Sequence, residues 1–366
     1  MKVVVTGATG NVGTAVIKAL LQDERVEHVL GIARREPGWS PPRTEWVRAD
    51  VARDDLRPLF RGAGAVIHLA WLIQPSRDGA ELERVNVDGS RRVFEAAAES
   101  GAGALVHASS IGVYSAGPKD RAVDESWPRE GTATSFYARH KAAAEHDLDA
   151  VEAAAPALRV ARLRPGLIFQ REAGPEIRRL FAGPLLPARL LRPGLIPLLP
   201  LPARMVVQCV HAEDVGEAYR LAALEPQARG AYNIAAEPLL DHATLARFFR
   251  ARVVRIPAGP LRALADLSWR AHLQPTPPGW LDMGLSVPVM DTRRAREELG
   301  WSPRHSATDA LAELLAGMRE PAGVDTPPLR PRAGGPARVR EFLSGLGRRA
   351  TVRDVPSDGE GSRRRE

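Results

Sequence analysis

The sequence of 366 residues predicts an α/β protein, in which a Rossmann-type, doubly wound parallel sheet is joined to a smaller, mostly helical lobe. Two observations lead to this class. Short β-branched runs alternate with amphipathic helical patterns through about residue 165, as in successive βαβ units. A glycine-rich turn follows the first of these runs and precedes a helical pattern. The runs are apolar, as expected where helices cover both faces of a sheet.

The individual elements follow from the same periodicities. Strands are predicted at residues 2–6, 29–33, 45–48, 65–69, 105–109 and 158–163, and helices at 13–22, 87–100 and 136–152. Residues 205–235 repeat a strand–helix–strand pattern. Because such a unit can extend a parallel sheet, we expect it to return to the sheet formed by the first part of the chain.

These patterns divide the chain into three regions. Residues 1–165, with 205–235 returning to them, form a predicted dinucleotide-binding domain. Residues 166–204 and 236–318 form a predicted substrate-binding lobe. Residues 319–366 are dominated by Pro, Gly, Arg and Ser, and this composition predicts a disordered tail.

Composition excludes several classes of function. The single cysteine, Cys209, excludes an internal disulfide and a cysteine metal cluster, and no spacing of His, Asp and Glu resembles a metal site. No secretory signal is evident, and the most apolar stretch, 185–201, is interrupted by arginines and prolines. The formal net charge of +7 is dispersed along the chain. We therefore expect a cytoplasmic protein that binds neither membrane nor nucleic acid and contains no metal.

The turn after the first strand has the pattern of a phosphate-binding loop. It reads Thr6-Gly7-Ala8-Thr9-Gly10-Asn11-Val12-Gly13. Glycines let backbone N–H groups approach a pyrophosphate, which then lies at the positive end of the following helix. The candidate cofactor contacts are Gly7, Thr9, Gly10, Asn11, Val12 and Gly13. A tight turn without a ligand is the alternative interpretation.

The end of the second predicted strand indicates which dinucleotide is bound. An NAD site usually has an acidic residue here for the ribose 2′-hydroxyl, whereas this chain has Arg34 and Arg35. A guanidinium pairs with a 2′-phosphate, so NADP(H) is preferred and NAD(H) is the alternative. Arginine is common in this chain, and two solvated arginines would give the same pattern.

Two further segments are placed to contact the cofactor. Asp50 and Val51 follow the third predicted strand and would meet the adenine edge. Leu69, Ala70 and Trp71 follow the fourth and would flank the dinucleotide.

Tyr137 and Lys141 are the candidate catalytic pair. Their spacing of four places both side chains on one face of a helix. A nearby ammonium stabilises a phenolate, so we expect Lys141 to lower the pKa of Tyr137 toward the range of a general acid or base. Ser109 and Ser110 end another predicted strand at the same sheet edge, where a hydroxyl could hold a substrate oxygen.

Together these motifs resemble the extended short-chain dehydrogenase/reductases, the NAD(P)-dependent epimerase/dehydratase family, over about residues 1–318. The matching segments are Thr6 to Gly13, Asp50-Val51, His68-Leu69-Ala70, Asn86-Val87, Ser109 to Tyr114, Tyr137 with Lys141, Arg164-Pro165-Gly166, Val210-His211 with Asp214-Val215, and Tyr232-Asn233-Ile234.

The resemblance implies roles for particular residues. Tyr137 would be the acid/base, Lys141 would bond the nicotinamide ribose, and Ser110, chosen by its spacing before Tyr114, would polarise the substrate. Pro165, Gly166 and Leu167 would line the nicotinamide. The resemblance also makes a homodimer plausible, through helices including that of Tyr137.

Departures from the family pattern bear on the substrate. Members acting on nucleotide sugars usually carry an asparagine after the Arg164 strand, and this chain lacks it. Ser115 and Gln170 stand where glycines are expected. We therefore favour an NADP(H)-dependent oxidoreductase acting on a less charged small molecule. A nucleotide-sugar epimerase or dehydratase that retains its cofactor and a non-enzymatic NADP(H) sensor are the alternatives.

Overall fold

The computed structural model describes residues 1–74, 76–182, 191–320 and 322–330. Its strands are β1 (Lys2–Thr6), β2 (His28–Ala33), β3 (Thr44–Arg48), β4 (Ala63–His68), β5 (Ala104–Ala108), β6 (Ala122–Val123), β7 (Arg159–Pro165), β8 (Leu167–Phe169), β9 (Leu198–Pro202), β10 (Cys209–His211), β11 (Gly230–Ile234), β12 (Arg252–Ile256) and β13 (Val289–Met290). Seven of them form one parallel sheet in the order β11-β7-β5-β4-β1-β2-β3. This confirms the predicted Rossmann-type sheet.

Helices cover both faces of the sheet. The helices of the described chain are α1 (Asn11–Leu21), α2 (Arg57–Phe60), α3 (Gly79–Glu83), α4 (Gly89–Glu99), α5 (Phe136–Ala154), α6 (Gly174–Ile177), α7 (Ala212–Leu224), α8 (His242–Phe249), α9 (Ala258–Arg270), α10 (Gly279–Ser286), α11 (Arg293–Leu299) and α12 (Ala307–Arg319). One core lies under α1, α7, α11 and α12, and a second lies under α2, α4 and α5. Helices α11 and α12 thus pack on the sheet domain, although they fall in the predicted lobe range 236–318.

Strand β1 explains why the strands are apolar throughout. Val3 and Val5 enter one core, while Val4 enters the other, and all three are fully buried. Successive side chains of a strand point to opposite faces, so a strand covered on both faces must be apolar at every position.

The remaining elements form the lobe beside the carboxyl edge of the sheet. It contains the parallel pair β9–β12 and helices α8, α9 and α10. The pair β9–β12 was not predicted, because both runs are short and interrupted by proline or arginine. Part of the predicted lobe segment, residues 183–190, lies outside the described residues.

The predicted disordered tail requires a correction at its beginning. Residues 322–330 are placed against the body of the protein, and Thr326 and Leu329 are fully buried there. The amide of Trp39 donates to the carbonyl of Asp325 at 3.0 Å. The remainder of the predicted tail, 331–366, lies outside the described residues.

Among the described helices, none combines the length and apolarity that crossing a bilayer would need.

Candidate active site

The glycine turn forms a cradle between β1, α1 and the end of β4. Gly7 has a φ of +70°, and a Cβ there would lie 2.6 Å from the amide nitrogen of Ala70. A Cβ on Gly13 would lie 2.5 Å from the carbonyl oxygens of Gly7 and Ala8. Any side chain at these positions would displace backbone, so the close approach of the three segments requires glycine.

The N-terminus of α1 is open toward this cradle. Its N-cap, Gly10, provides no side-chain cap, and the first turn holds no acidic residue. The positive end of the helix and its free N–H groups therefore suit an anion. A dinucleotide pyrophosphate is such an anion, so the glycine turn and the N-terminus of α1 fit a bound pyrophosphate. Thr9 is buried in the turn, and Val12 packs against the core.

Asn11 links the cradle to the strand that follows β7. Its Nδ2 donates to the carbonyl of Ile168 at 3.3 Å, and Gln170 Nε2 donates to its Oδ1 at 2.7 Å. Gln170 departs from the family pattern, and the structure gives it the role of tying β8 to the glycine turn.

Arg34 and Arg35 follow β2 directly, as predicted from the sequence. Within the described part of the chain, no carboxylate lies within ion-pair distance of either guanidinium. At the neighbouring strand end, Asp50 Oδ1 accepts from the amide of Ala52 at 3.0 Å, while Val51 is buried in the core. Asp50 thus shapes its own turn at the edge where adenine is expected.

The loop after β4 is held by a side chain whose role the sequence analysis did not assign. Asn86 is fully buried; its Oδ1 accepts from the amide of Leu72 at 2.7 Å and its Nδ2 donates to the carbonyl of Leu72 at 2.8 Å. These two bonds fix Leu69, Ala70 and Trp71 beside the glycine turn. The indole Nε1 of Trp71 is buried and has no hydrogen-bond partner among the described residues.

Tyr137 and Lys141 lie in the first turns of α5 on the face toward this loop. Ser135 caps the helix, its hydroxyl accepting from the amide of Ala138 at 3.3 Å. Lys141 is buried; its Nζ donates to the carbonyl of Ala108 at 2.6 Å and lies 3.4 Å from the centre of the Trp71 ring. The same Nζ is 5.8 Å from the centre of the Tyr137 ring.

The electrostatics of the pair differ from the sequence-based expectation. Burial raises the pKa of Tyr137, and a hydrogen bond with Ser110 opposes that rise. Burial also holds the pKa of Lys141 well below its usual value, with Glu145 opposing the shift. The expected lowering of the Tyr137 pKa by Lys141 is therefore wrong for this structure, because the ammonium is directed at Trp71 and a carbonyl.

The two serines after β5 have different partners. Ser110 lies near enough to Tyr137 to lower its pKa, and its Oγ accepts from the amide of Gly112 at 3.0 Å. Ser109 donates instead to the buried carboxylate of Glu145. A Cβ at Gly112 would lie 3.1 Å from the Tyr137 ring, so the glycine allows the ring to approach this turn. The structure thus brings Ser110, rather than Ser109, to the phenol.

A buried polar network connects α5 to β7 and β11. Arg164 donates through Nε to one oxygen of Glu145 at 2.8 Å and through Nη2 to the other. Its Nη1 donates at 3.0 Å to the hydroxyl of Tyr114, which in turn donates to Asn233 Oδ1 at 2.6 Å. The sequence analysis missed Glu145. Its position, four residues after Lys141 on the same helix face, was the available signal.

The segment predicted to line a nicotinamide connects β7 to β8. A Cβ on Gly166 would lie 2.5 Å from the carbonyl oxygen of Gln208, so glycine is needed where this connection passes the residue before β10. Pro165 ends β7 in the buried sheet, and Leu167 is 41% exposed.

Aromatic side chains surround the phenol on the lobe side. The ring of Trp280, in the first turn of α10, lies 4.7 Å from that of Tyr137. Phe181 meets Trp280 edge-on at 4.8 Å, and Trp71 meets Tyr137 edge-on at 6.0 Å. Trp71 and Trp280 thus contact the Tyr137 ring directly, and Phe181 extends this aromatic wall through Trp280.

A glycine-cradled helix end at the carboxyl edge of a doubly wound sheet, with a Tyr–Lys helix beside it, defines a class of dinucleotide-binding enzymes. The family model described as "NAD dependent epimerase/dehydratase family" matches residues 3–235. The chain belongs to this family, the extended short-chain dehydrogenase/reductases, as the motifs predicted.

Curated relatives extend the match along most of the chain. An uncharacterized protein of Mycobacterium tuberculosis is 27% identical over 327 residues, which cover 88% of this chain and 31% of that protein. The chain thus spans about a third of the length of the first relatives it matches. Sterol demethylase protein B of Methylococcus capsulatus is 34% identical over 161 residues, covering 40% of this chain and 46% of that protein.

Solved structures share the fold at lower identity. UDP-glucose 4-epimerase of Thermus thermophilus, in complex with NAD, aligns with a TM-score of 0.63 and 23% identity, covering 88% of this chain and all of that one. A dTDP-glucose 4,6-dehydratase of Streptomyces venezuelae with NAD bound gives 0.66 and 22%, covering 88% of this chain and 98% of that one.

Proposed function

We propose that the protein is an NADP(H)-dependent oxidoreductase that interconverts a carbonyl and an alcohol on an uncharged, largely apolar small molecule. The observation that carries the proposal is the position of the Tyr137 phenol, which lies beside Ser110 and contacts Trp71 in the loop that borders the glycine cradle. A bound nicotinamide would supply or accept the hydride. The chain itself supplies a proton and the position of the reacting oxygen.

Tyr137 is suited to hold and move that proton. Because burial raises its pKa, the phenol stays protonated at neutral pH and can donate to a carbonyl oxygen during reduction. Ser110 can hold the same oxygen by a second hydrogen bond, which fixes the direction of proton transfer. In the reverse reaction, the phenolate accepts the proton of the alcohol.

Lys141 and the glycine cradle supply the cofactor side. The ammonium of Lys141 lies one helical turn from Tyr137 and borders the Trp71 loop, where it would bond a nicotinamide ribose. Gly7, Gly10 and Gly13 would hold the pyrophosphate. NADP(H) is proposed over NAD(H) because Arg34 and Arg35 replace the carboxylate that a free 2′-hydroxyl favours.

The aromatic wall supports an apolar substrate. Trp71 and Trp280 contact the ring of the phenol, and Phe181 packs on Trp280; such surfaces favour planar or alicyclic carbon skeletons over sugars bearing diphosphates. The chain also lacks the asparagine that commonly holds a diphosphate after the Arg164 strand.

Turnover of NADPH against panels of ketones, aldehydes and nucleotide sugars tests the reaction type. We expect NADPH consumption with apolar ketones and none with nucleotide sugars. Conversion of a nucleotide sugar without net consumption of cofactor would instead establish an epimerase or dehydratase.

Two variants test the assignment of residues. Tyr137→Phe should lower turnover by roughly 10²–10⁴-fold while leaving the Kd for NADPH nearly unchanged. Arg34→Ala combined with Arg35→Ala should weaken NADPH about ten-fold or more and NADH much less. Equal losses of affinity for NADPH and NADH would show that these arginines do not select NADP(H).

The homodimer implied by the family resemblance is also a proposal. Light scattering coupled to gel filtration measures it directly, with a mass of 39.6 kDa expected for a monomer and twice that for a dimer.

A further inference from the structure

The segment 322–330 lies against the loop that follows β2. The amide of Trp39 donates to the carbonyl of Asp325, and a Cβ on Gly38 would lie 1.9 Å from Asp325 Oδ2. Thr326 and Leu329 anchor the segment through fully buried side chains. Gly38 and Trp39 follow Arg35 closely in the chain, so these contacts place the segment near the end of β2. A dinucleotide of this fold presents its adenosine ribose there.

Two more arginines reach this region from elements far apart in sequence. Arg330 ends the described segment; its Nε donates to Asp325 Oδ1 at 3.0 Å, and the side chain is 56% exposed. Arg179, which follows α6, donates through Nη2 to the carbonyl of Pro328 at 3.1 Å. One segment thus holds both guanidinium groups at the end of β2.

The pKa of Arg35 responds to the same charges. Loss of hydration lowers the pKa of Arg35, and repulsion from Arg34, Arg179 and Arg330 lowers it further. A group of like charges in one place stabilises the folded protein only when an anion joins it.

The nearby acidic groups neutralise the group of arginines only in part. Burial raises the pKa of Glu176, whose charge faces Arg179, to about 7. Near neutral pH this carboxyl therefore carries only part of a negative charge. Asp325 pairs with Nε of Arg330 and lies at the solvent edge, 62% exposed.

We propose that Arg179 and Arg330 join Arg35 in a subsite for the 2′-phosphate of NADP(H). This rests on the proposed cofactor preference and adds two specificity-determining residues to it. A phosphomonoester presents several oxygens to which planar guanidinium groups donate in pairs. The C-terminal segment is therefore part of the cofactor site, and the lobe residue Arg179 couples the lobe to the bound nucleotide.

Binding of 2′,5′-ADP and of 5′-ADP, measured by calorimetry on the full chain, isolates the 2′-phosphate without requiring turnover. Arg179→Ala and Arg330→Ala should each weaken 2′,5′-ADP about ten-fold and change 5′-ADP less than about two-fold. Arg270→Ala is the matched control, because it removes an arginine that is 71% exposed on α9. It should leave both affinities unchanged.

The outcomes separate this inference from the function on which it rests. If the unmodified protein binds 2′,5′-ADP no better than 5′-ADP, the cofactor preference itself fails. If it prefers 2′,5′-ADP and both variants retain that preference, the preference stands and the role of Arg179 and Arg330 is overturned. Arg330→Lys keeps a cation at this position and should recover part of the affinity for 2′,5′-ADP. Such recovery would show that the loss in Arg330→Ala comes from the missing charge and not from misfolding.

Discussion

Lys141 directs its ammonium at the face of Trp71, with Nζ 3.4 Å from the ring centre, while the same indole makes a T-shaped contact with the ring of Tyr137. Trp71 therefore touches both members of the Tyr–Lys pair. The ring face carries partial negative charge, so it stabilises the protonated lysine in a site where burial disfavours that form. Trp71 is a positioning residue for Lys141.

Replacing Trp71 by Leu should narrow the pH range of activity. The indole favours the charged form of Lys141 by roughly 0.5–2 kcal/mol, so its removal lowers the lysine pKa further, and the ammonium is lost at a lower pH. The pH profile of kcat measures this shift. Trp269→Leu is the control, because Trp269 stacks with Arg77 and is not among the rings that contact Tyr137 or Lys141 in the described residues. An unchanged profile in Trp71→Leu would show that the contact does not tune the lysine.

The protonation of Tyr137 predicts opposite pH dependences for the two reaction directions. Its pKa is raised from 10.0 by burial, so the phenol is the dominant form through neutral pH. Reduction, which needs the phenol, should stay level until the pH approaches this raised value. Alcohol oxidation, which needs the phenolate, should rise about ten-fold per pH unit below it.

Initial rates of reduction and of oxidation across the alkaline range measure these two pH dependences. Any residual activity of Tyr137→Phe should lack the rise of the oxidation rate with pH. The reduction rate could also fall because Lys141 loses its proton, so the protonation of Lys141 has to be measured separately. A reduction rate that falls near neutral pH while Lys141 is still protonated would contradict the raised pKa of the phenol.

Lys141 should lower the stability of the folded protein, although the proposed reaction requires it. Its pKa is lowered in the folded protein, so below the unfolded value of 10.5 the folded state disfavours the proton that the unfolded chain holds. Lys141→Met should therefore abolish turnover and stabilise the protein by about 1–3 kcal/mol at neutral pH. The gain should vanish as the pH rises through about 10.5.

Urea denaturation of Lys141→Met at neutral and alkaline pH measures this effect. Lys18→Met is the matched control, because Lys18 is exposed on α1 and should change stability little. Destabilisation of the Lys141 variant would mean that its bond to Ala108 outweighs the burial of the charge.

The ion pair of Glu145 with Arg164 should matter far more than any surface pair. Burial alone would raise the pKa of Glu145, but hydrogen bonding and the charge of Arg164 hold it below its usual value. Glu145→Gln leaves Arg164 as an unpaired buried charge, which should cost about 3–5 kcal/mol. In the unmodified protein, this stabilisation is present above the ordinary glutamate pKa and is lost as the pH falls through the lowered one.

Chemical denaturation of Glu145→Gln beside Asp88→Asn tests that difference. Asp88 pairs with Arg91 at the surface, where both side chains are about half exposed, so its loss should cost less than about 1 kcal/mol. Comparable losses in the two variants would show that the buried network does not stabilise α5.

Local signals in the sequence were enough to predict the sheet and the placement of Tyr137 and Lys141 on one helix. Apolar runs such as Val3-Val4-Val5 predict strands because both faces are covered, and the spacing of Tyr137 and Lys141 follows from one helical turn. Contacts between distant segments were not predictable in this way. The partnership of Glu145 with Arg164 and the direction of the Lys141 ammonium depend on tertiary packing, which periodicity does not encode.

The segment 322–330 illustrates the same limit. Its content of proline, arginine and glycine resembles that of a disordered chain, and composition alone led to the prediction of a tail from residue 319. Two of its side chains, those of Thr326 and Leu329, are nevertheless fully buried against the body, and the amide of Trp39 donates to the carbonyl of Asp325. A single buried leucine in a polar segment does not produce a periodic pattern.

Truncation at two positions separates the packed segment from the rest of the tail. A chain ending at residue 330 retains Leu329 and Arg330, so it should keep the stability and the NADPH affinity of the full chain. A chain ending at residue 320 loses the buried Leu329, which should cost about 2–4 kcal/mol, and loses Arg330 from the proposed phosphate subsite. The expectation from composition alone is that this shorter chain stays active.

Thermal denaturation and NADPH titration of both truncations decide between these expectations. Leu329→Ala in the full chain keeps Arg330 while removing most of the buried side chain, so it should lower stability more than it lowers NADPH affinity. Equal stability and affinity in the chains ending at 320 and 330 would show that the segment neither anchors the fold nor serves the nucleotide.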